Sequence, residues 1–130
     1  MVGMNIISKI KKIFSSKKTY TTDGSSIVMG FWDSLPDDFV VMAPMADVTD
    51  CAYREIIAKY SRHGQEGGGP DVFYTEFVAS DGLASEKGRP KLMHNFKYTE
   101  NERPIVAQIF SCKPENVEFA ARLCRDLGFD

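Results

Sequence analysis

Three short apolar runs divide the chain, and each is followed by a stretch with helical or mixed spacing. Phe39-Val40-Val41-Met42-Ala43 is continuously apolar and stops at Pro44. A strand of a parallel sheet covered on both faces reads this way, and proline ends it because it has no N–H for the ladder. Thr49 or Asp50 then stands as an N-cap, and Ala52, Tyr53, Ile56, Ile57 and Tyr60 recur at helical spacing. Val72 to Phe77 is rich in β-formers and predicts a second strand. Ala79 to Met93 is mixed, a short helix and a loop. Pro104 to Phe110 predicts a third strand, with proline tolerated at its first position. Pro114 suits the first turn of a helix, Val117, Ala120, Ala121, Cys124 and Leu127 form its apolar stripe, and Gly128 is its stop.

Strands alternating with helices predict the α/β class with a parallel sheet. Gly128-Phe129-Asp130 opens what reads as another strand. Three strand–helix units neither close nor cover such a sheet, so residues 38–130 are expected to be the front part of a larger enzyme.

Residues 1–37 read as a basic amphipathic leader and linker. Ile6, Ile7, Ile10, Ile13 and Phe14 share one face of a possible short helix, with lysines opposite. A membrane-surface or RNA-contacting helix has this form; a mispredicted start is the alternative, since Met4 offers a second initiation point. A transit peptide is disfavoured, because such peptides prefer arginine to lysine. Residues 15–27, rich in Ser, Thr and Lys, read as a linker or turn. Residues 1–20 hold five lysines and no acid, so with a whole-chain charge of −2 the remainder carries −7. A basic arm on an acidic body favours a polyanion such as RNA, or anionic lipid; a solvated leader is the plainer reading.

The apolar fraction of 43% and charged fraction of 26% are those of a soluble globular chain, not a disordered one. Cys51, Cys112 and Cys124 are odd in number and show no CxxC, which argues against a disulfide framework or a zinc site and suits a reducing cytoplasm. No apolar run approaches the roughly 18 residues of a membrane span. The loop His63 to Pro70 lacks the Gly-Lys-Ser/Thr ending of a P-loop and reads as a flexible connection.

In βα-repeat proteins, chemistry gathers at the carboxyl ends of the strands. That rule selects Pro44-Met45-Ala46 with the residues to Asp50, then Glu76, then Gln108. Gln108 lies in an otherwise apolar strand, where a buried amide is costly unless paired. It is able to read the edge of a flat heterocycle with both donors and an acceptor; satisfaction by neighbouring backbone is the alternative. Glu76 either orients a substrate or serves structurally, capping the next helix or pairing with Arg89. Pro44-Met45-Ala46 offers a rigid turn on which a planar cofactor can lie, although Met45 also suits core filling.

Ala43-Pro44-Met45-Ala46-Asp47-Val48-Thr49-Asp50, Tyr53-Arg54, Thr75-Glu76-Phe77-Val78, Val106-Ala107-Gln108-Ile109 and Pro114-Glu115 together closely resemble the opening of the tRNA-dihydrouridine synthases. These are FMN-dependent TIM-barrel oxidoreductases. The resemblance covers roughly residues 38–130 and implies about three of the eight βα units of a (β/α)8 barrel. It implies that Pro44, Met45 and Ala46 line FMN, largely through backbone, and that Gln108 hydrogen-bonds the isoalloxazine ring. It implies NADPH as reductant, tRNA as partner, and reduction of uridine to 5,6-dihydrouridine. The family's catalytic cysteine sits in an Asn-x-Gly-Cys-Pro segment after a Gly-x-Asp; Gly128-Phe129-Asp130 matches that lead-in, so the acid is expected beyond Asp130. None of Cys51, Cys112 and Cys124 matches it. The rest of the barrel and the helical tRNA-binding domain are likewise expected outside this chain, which alone is expected to be unstable and inactive. Two residues depart from the family pattern: Asp47 stands where glycine is common, and Ser111 where glycine often follows the Gln strand.

Lys87, Arg89, Lys91 and Lys97 with Phe96 and Tyr98 form a basic, aromatic-interleaved stretch, either a contact to the tRNA backbone or, more plainly, a solvated loop. The alternatives to a synthase are another FMN barrel, of the dihydroorotate dehydrogenase or ene-reductase type, and a non-catalytic truncated product that binds RNA through its basic arm.

Overall fold

The computed structural model describes residues 20–21, 26–27 and 30–130. The chain divides into Met1–Asp37 and Asp38–Asp130. In the first unit, β1 (Tyr20–Thr21) pairs antiparallel with β2 (Ser26–Ile27), inside the stretch expected to be linker or turn. A 3-10 turn follows over Gly30–Ser34. The helix expected over residues 6–14 lies outside the described residues.

The second unit is built on parallel pairing. The first apolar run touches the sheet only around Val41, which bridges Val72 in parallel. Met42 N–H donates to Val72 O at 3.0 Å, and Asp71 N–H to Val40 O at 2.7 Å. Burial on both faces was expected for this run; instead Val40 is 60% exposed and Ala43 is exposed. A continuous apolar run is the same on paper whether one face or two are covered. Here Val41 and Met42, which meet Val72, are half-buried, and Phe39, Val40 and Ala43 on either side stay exposed.

Asp50 caps α1 (Cys51–Tyr60), accepting from Tyr53 N–H at 2.8 Å. The helix does not bury the stripe its spacing predicted. Arg54 and Ala58 are buried and Cys51 and Ile57 half-buried, whereas Ala52, Tyr53, Ile56 and Tyr60 face out. The cause is the neighbour: α1 packs on a 3-10 turn at Glu100–Glu102, and the Glu102 carboxylate draws the Arg54 side of the helix inward.

The loop after α1 is tied to the sheet through His63. His63 Nδ1 and Nε2 lie 2.5 Å from Pro70 O and 2.7 Å from Arg103 O, and its ring meets Phe73 edge-on.

The second and third strands each come in two pieces. β3 (Phe73–Tyr74) pairs with β5 (Ile105–Val106), and β4 (Val78–Ala79) with β6 (Ile109–Phe110), all parallel. Residues 75–77 of the second strand stand opposite residues 107–108 of the third, a bulge of one residue. Thr75 spans it: its N–H donates to Val106 O at 2.9 Å, and its hydroxyl accepts from Gln108 N–H at 3.1 Å.

Two apolar clusters form the core against this sheet. Phe73, Ile105 and Ala58 form a cluster with Met42, Ile57 and Tyr98 around it. Val78, Leu83, Phe96, Ala120 and Cys124 form a second, and Phe129 packs against both. The mixed stretch folds as α2 (Ser80–Ala84), α3 (Arg89–Leu92) and a 3-10 turn at Met93–Phe96. In the basic stretch Phe96 is buried, Tyr98 donates to Leu127 O, and Arg89 donates to Leu83 O and stacks on Phe119. Only its lysines are exposed, so it is not a basic aromatic face.

α4 (Pro114–Asp126) starts and stops where Pro114 and Gly128 predicted, with Gly128 at φ 82°. It packs on both β6 and α2, so its stripe is wider than predicted: Phe119 and Leu123 join it while Ala121 is exposed. Beyond it Asp130 N–H reaches Ile105 O at 3.2 Å, on the third strand's outer edge, where the next strand was expected to begin.

Candidate functional site

The loop from Pro44 to Asp50 leaves the first strand, turns, and enters α1. Thr49, fully buried, organises it. Its hydroxyl accepts from Met45 N–H at 2.9 Å, and its own N–H donates to Met45 O at 3.0 Å. Both backbone groups of Met45 are thereby turned inward. Ala46 N–H and Pro44 C=O are left without partners among the described residues. Asp47 adopts φ 60°, a left-handed conformation that glycine takes freely and Asp better than most residues. This is the physical sense of an Asp standing where glycine is common.

Glu76, at the bulge, holds this loop from the second strand. It is buried, and its Oε1 accepts from Asp47 N–H at 2.5 Å. It does not pair with Arg89. Its Oε2 makes no hydrogen bond among the described residues. Gln108 follows from the third strand, where its carbonyl accepts from Val78 N–H at 2.9 Å. The strand pattern implied a buried amide; the side chain is instead exposed and unpaired among the described residues. The bulge is the reason, because it interrupts the ladder at this residue and turns the amide out at the strand end. Met45 is 45% exposed and Ala46 exposed, with Pro44 half-buried. The hydrogen bonds Asp47–Glu76 and Gln108–Thr75 thus bring all the selected positions to one end of the three strands.

Behind the loop lies a buried polar group that pattern reading did not single out. Arg54 donates through Nε to Glu102 Oε2 at 2.5 Å, through Nη1 to Thr49 O at 2.8 Å and through Nη2 to Lys97 O at 2.7 Å. Glu102 Oε1 accepts from Thr99 N–H at 2.7 Å, closing a capping box. The spacing Thr99-x-x-Glu102 was a legible signal for that box; the pairing with Arg54 was not. Cys51 also donates its thiol toward Glu102, at 3.4 Å. Burial, and then the Glu102 charge, push that thiol up to about 11. Cys51, Cys112 and Cys124 are all free, and no cluster able to hold a metal occurs among the described residues.

Ser111, the other departure from pattern, donates to Asp81 Oδ2 at 2.8 Å and so ties the loop after β6 to α2. That bond, with those from Asn116 and Lys113, holds the Asp81 carboxyl below the usual value. A cleft of about 440 Å³ lies elsewhere, among Ala58, Lys59, Arg62, His63 and Arg103 near the amino ends of the strands. Arg62, His63 and Arg103 are committed there to Gln65, to two carbonyls, and to Glu100 and Asp130.

Parallel strands alternating with helices, with polar groups converging at their carboxyl ends, define an α/β protein of the kind that carries its site on those ends. A family model for dihydrouridine synthase (Dus) matches residues 41–130, and the chain belongs to that family. It is 40% identical over 99 residues to the probable tRNA-dihydrouridine synthase 2 of Bacillus subtilis (strain 168). It is 33% identical over 99 residues to the probable tRNA-dihydrouridine synthases of Staphylococcus epidermidis and Staphylococcus aureus. Each match covers 76% of this chain and 28% of the relative, so the chain spans little more than a quarter of their length. No solved structure matches it.

Proposed function

We propose that this chain forms the first wall of the flavin pocket in a tRNA-dihydrouridine synthase that reduces uridine to 5,6-dihydrouridine. The observation that carries the reading is the convergence at the strand ends: a clamped 44–49 loop with Ala46 N–H and Pro44 C=O open, beside an exposed, unpaired Gln108 amide. These groups suit a flat ring system. The loop supplies a surface and single backbone contacts, and Gln108 supplies a donor and an acceptor to the ring edge.

When bound there, FMN would supply hydride chemistry at one carbon of the C5–C6 bond, with NADPH as reductant and a general acid giving the proton to the other carbon. The protein's part is to hold that ring and admit the base. The target carbons are out of reach inside a stacked helix, so the uridine is turned out of the tRNA to meet the pocket. Glu76 fixes the loop through Asp47 N–H, and its second oxygen is free to face the substrate. The parallel pairing and the strand order support an incomplete (β/α)8 barrel as the setting, and a cytoplasmic site of action follows from the tRNA substrate. No helix among the described residues is long and apolar enough to cross a membrane.

Titration of the full-length protein that carries this segment with FMN, followed by flavin fluorescence and absorbance, tests the reading. Gln108→Ala is expected to weaken FMN retention about tenfold, the worth of one hydrogen bond to a ring atom. Unchanged retention removes Gln108 from the pocket; no flavin uptake by the unsubstituted protein removes the pocket itself.

A further inference from the structure

We infer that Arg54 is a positioning residue: through the Thr49 carbonyl, the buried Arg54–Glu102 pair holds the 44–49 loop in the shape that presents Pro44 and Ala46 to the flavin. The inference rests on the flavin reading above and adds to it a residue that touches no ligand.

Arg54 is fully buried, and each of its three bonds ends on a different segment: Glu102 in the 3-10 turn, Thr49 in the loop, and Lys97 O in the approach to that turn. A buried ion pair is weak grounds for stability, since an apolar pair of similar size often serves as well or better. What an apolar pair does not supply is a rigid fork that aims hydrogen bonds at fixed points. The Thr49 carbonyl is the point that matters. Thr49 holds the N–H and the C=O of Met45. With Glu76 on Asp47 N–H and Val48 N–H on Met45 O, the loop is tied at residues 45, 47, 48 and 49. Pro44 C=O and Ala46 N–H are among the loop's backbone groups left without partners among the described residues. Release of the Thr49 carbonyl loosens the hold on Met45, and so the aim of both neighbours.

Three variants, made in the full-length protein that carries this segment, separate positioning from bulk stability. Arg54→Met combined with Glu102→Leu keeps the volume buried and leaves no lone charge. Arg54→Lys keeps the charge opposite Glu102 but reaches fewer acceptors. Thr49→Val removes only the hydroxyl's hold on Met45. Two readouts are taken: hydrogen exchange at the Met45 and Asp47 amides against the α4 amides, and affinity for FMN. All three variants are expected to exchange at Met45 and Asp47 about 10- to 100-fold faster with α4 unchanged, and to bind FMN more weakly by about the same factor.

Wild-type exchange and wild-type FMN affinity in the double variant overturn the inference. Full rescue by Arg54→Lys overturns it too, because charge pairing is then sufficient. Equal acceleration at α4 shows a stability role in place of a positioning one. Loop amides that respond as expected in a protein that takes up no FMN leave the clamp standing and remove the flavin role.

Discussion

Helices α1 and α4 follow the first and third strands, yet they bury different chemistry. α4 turns in Ala120 and Cys124 with Phe119 and Leu123 beside them. Its burial follows the apolar spacing. α1 turns in Arg54 and Ala58 and leaves Ile56 and Tyr60 at 57% and 75% exposure. The difference is that one helix is placed by apolar contact, the other by apolar contact at Ala58 and Ile57 together with a charge pair whose partner is 48 residues away. The first kind of contact tolerates a change of shape at a cost set by volume. The second tolerates joint replacement of both partners, but not removal of one.

Truncating each side in turn sharpens that contrast. Glu102→Ala leaves Arg54 buried and unpaired and is expected to cost about 3–5 kcal/mol. Leu83→Ala, in the cluster under α4, is expected to cost about 2–5 kcal/mol. Chemical denaturation of the full chain measures both. The separation comes from the second change: Arg54→Met is expected to restore much of the loss in Glu102→Ala, whereas no partner change of comparable size repairs Leu83→Ala. Failure of that rescue places α1 in the same category as α4.

A smaller effect is expected at the turn both halves of the site share. Asp47 at φ 60° is expected to accept glycine with little change. Asp47→Val is expected to cost about 1–2 kcal/mol, the penalty for a side chain in the left-handed region, read as a shift in denaturation midpoint. Equal behaviour of the two variants contradicts a left-handed residue there.

The smallest effect concerns protons. Cys51 has its thiol raised from 9.0 to about 11. The fold therefore favours the protonated form. That contribution is complete below pH 9.0 and is lost as pH rises toward about 11. Cys51→Ala is expected to flatten the stability curve in that alkaline window. In the native protein iodoacetamide is expected to label exposed Cys112 first, with Cys51 and buried Cys124 labelled only on unfolding. Mass spectrometry of the labelled peptides checks the order.

The chain pattern by itself determined the alternation of strands and helices, the limits of α4 through Pro114 and Gly128, and the places along the chain where site residues fall. These are local matters. Proline and glycine act on their own backbone, and an apolar stripe at helical spacing speaks for itself when its neighbour is apolar. Family membership was legible for the same reason, because it rests on residue blocks in order. Tertiary structure alone decided which face of α1 is buried, that Gln108 turns out instead of in, and that Glu76 grips Asp47 and not Arg89. Each depends on a register shift or a polar partner distant in sequence. Such a partner leaves no periodic trace, since a buried arginine and an exposed one are written with the same letter. Only the folded chain brings Glu102 to it.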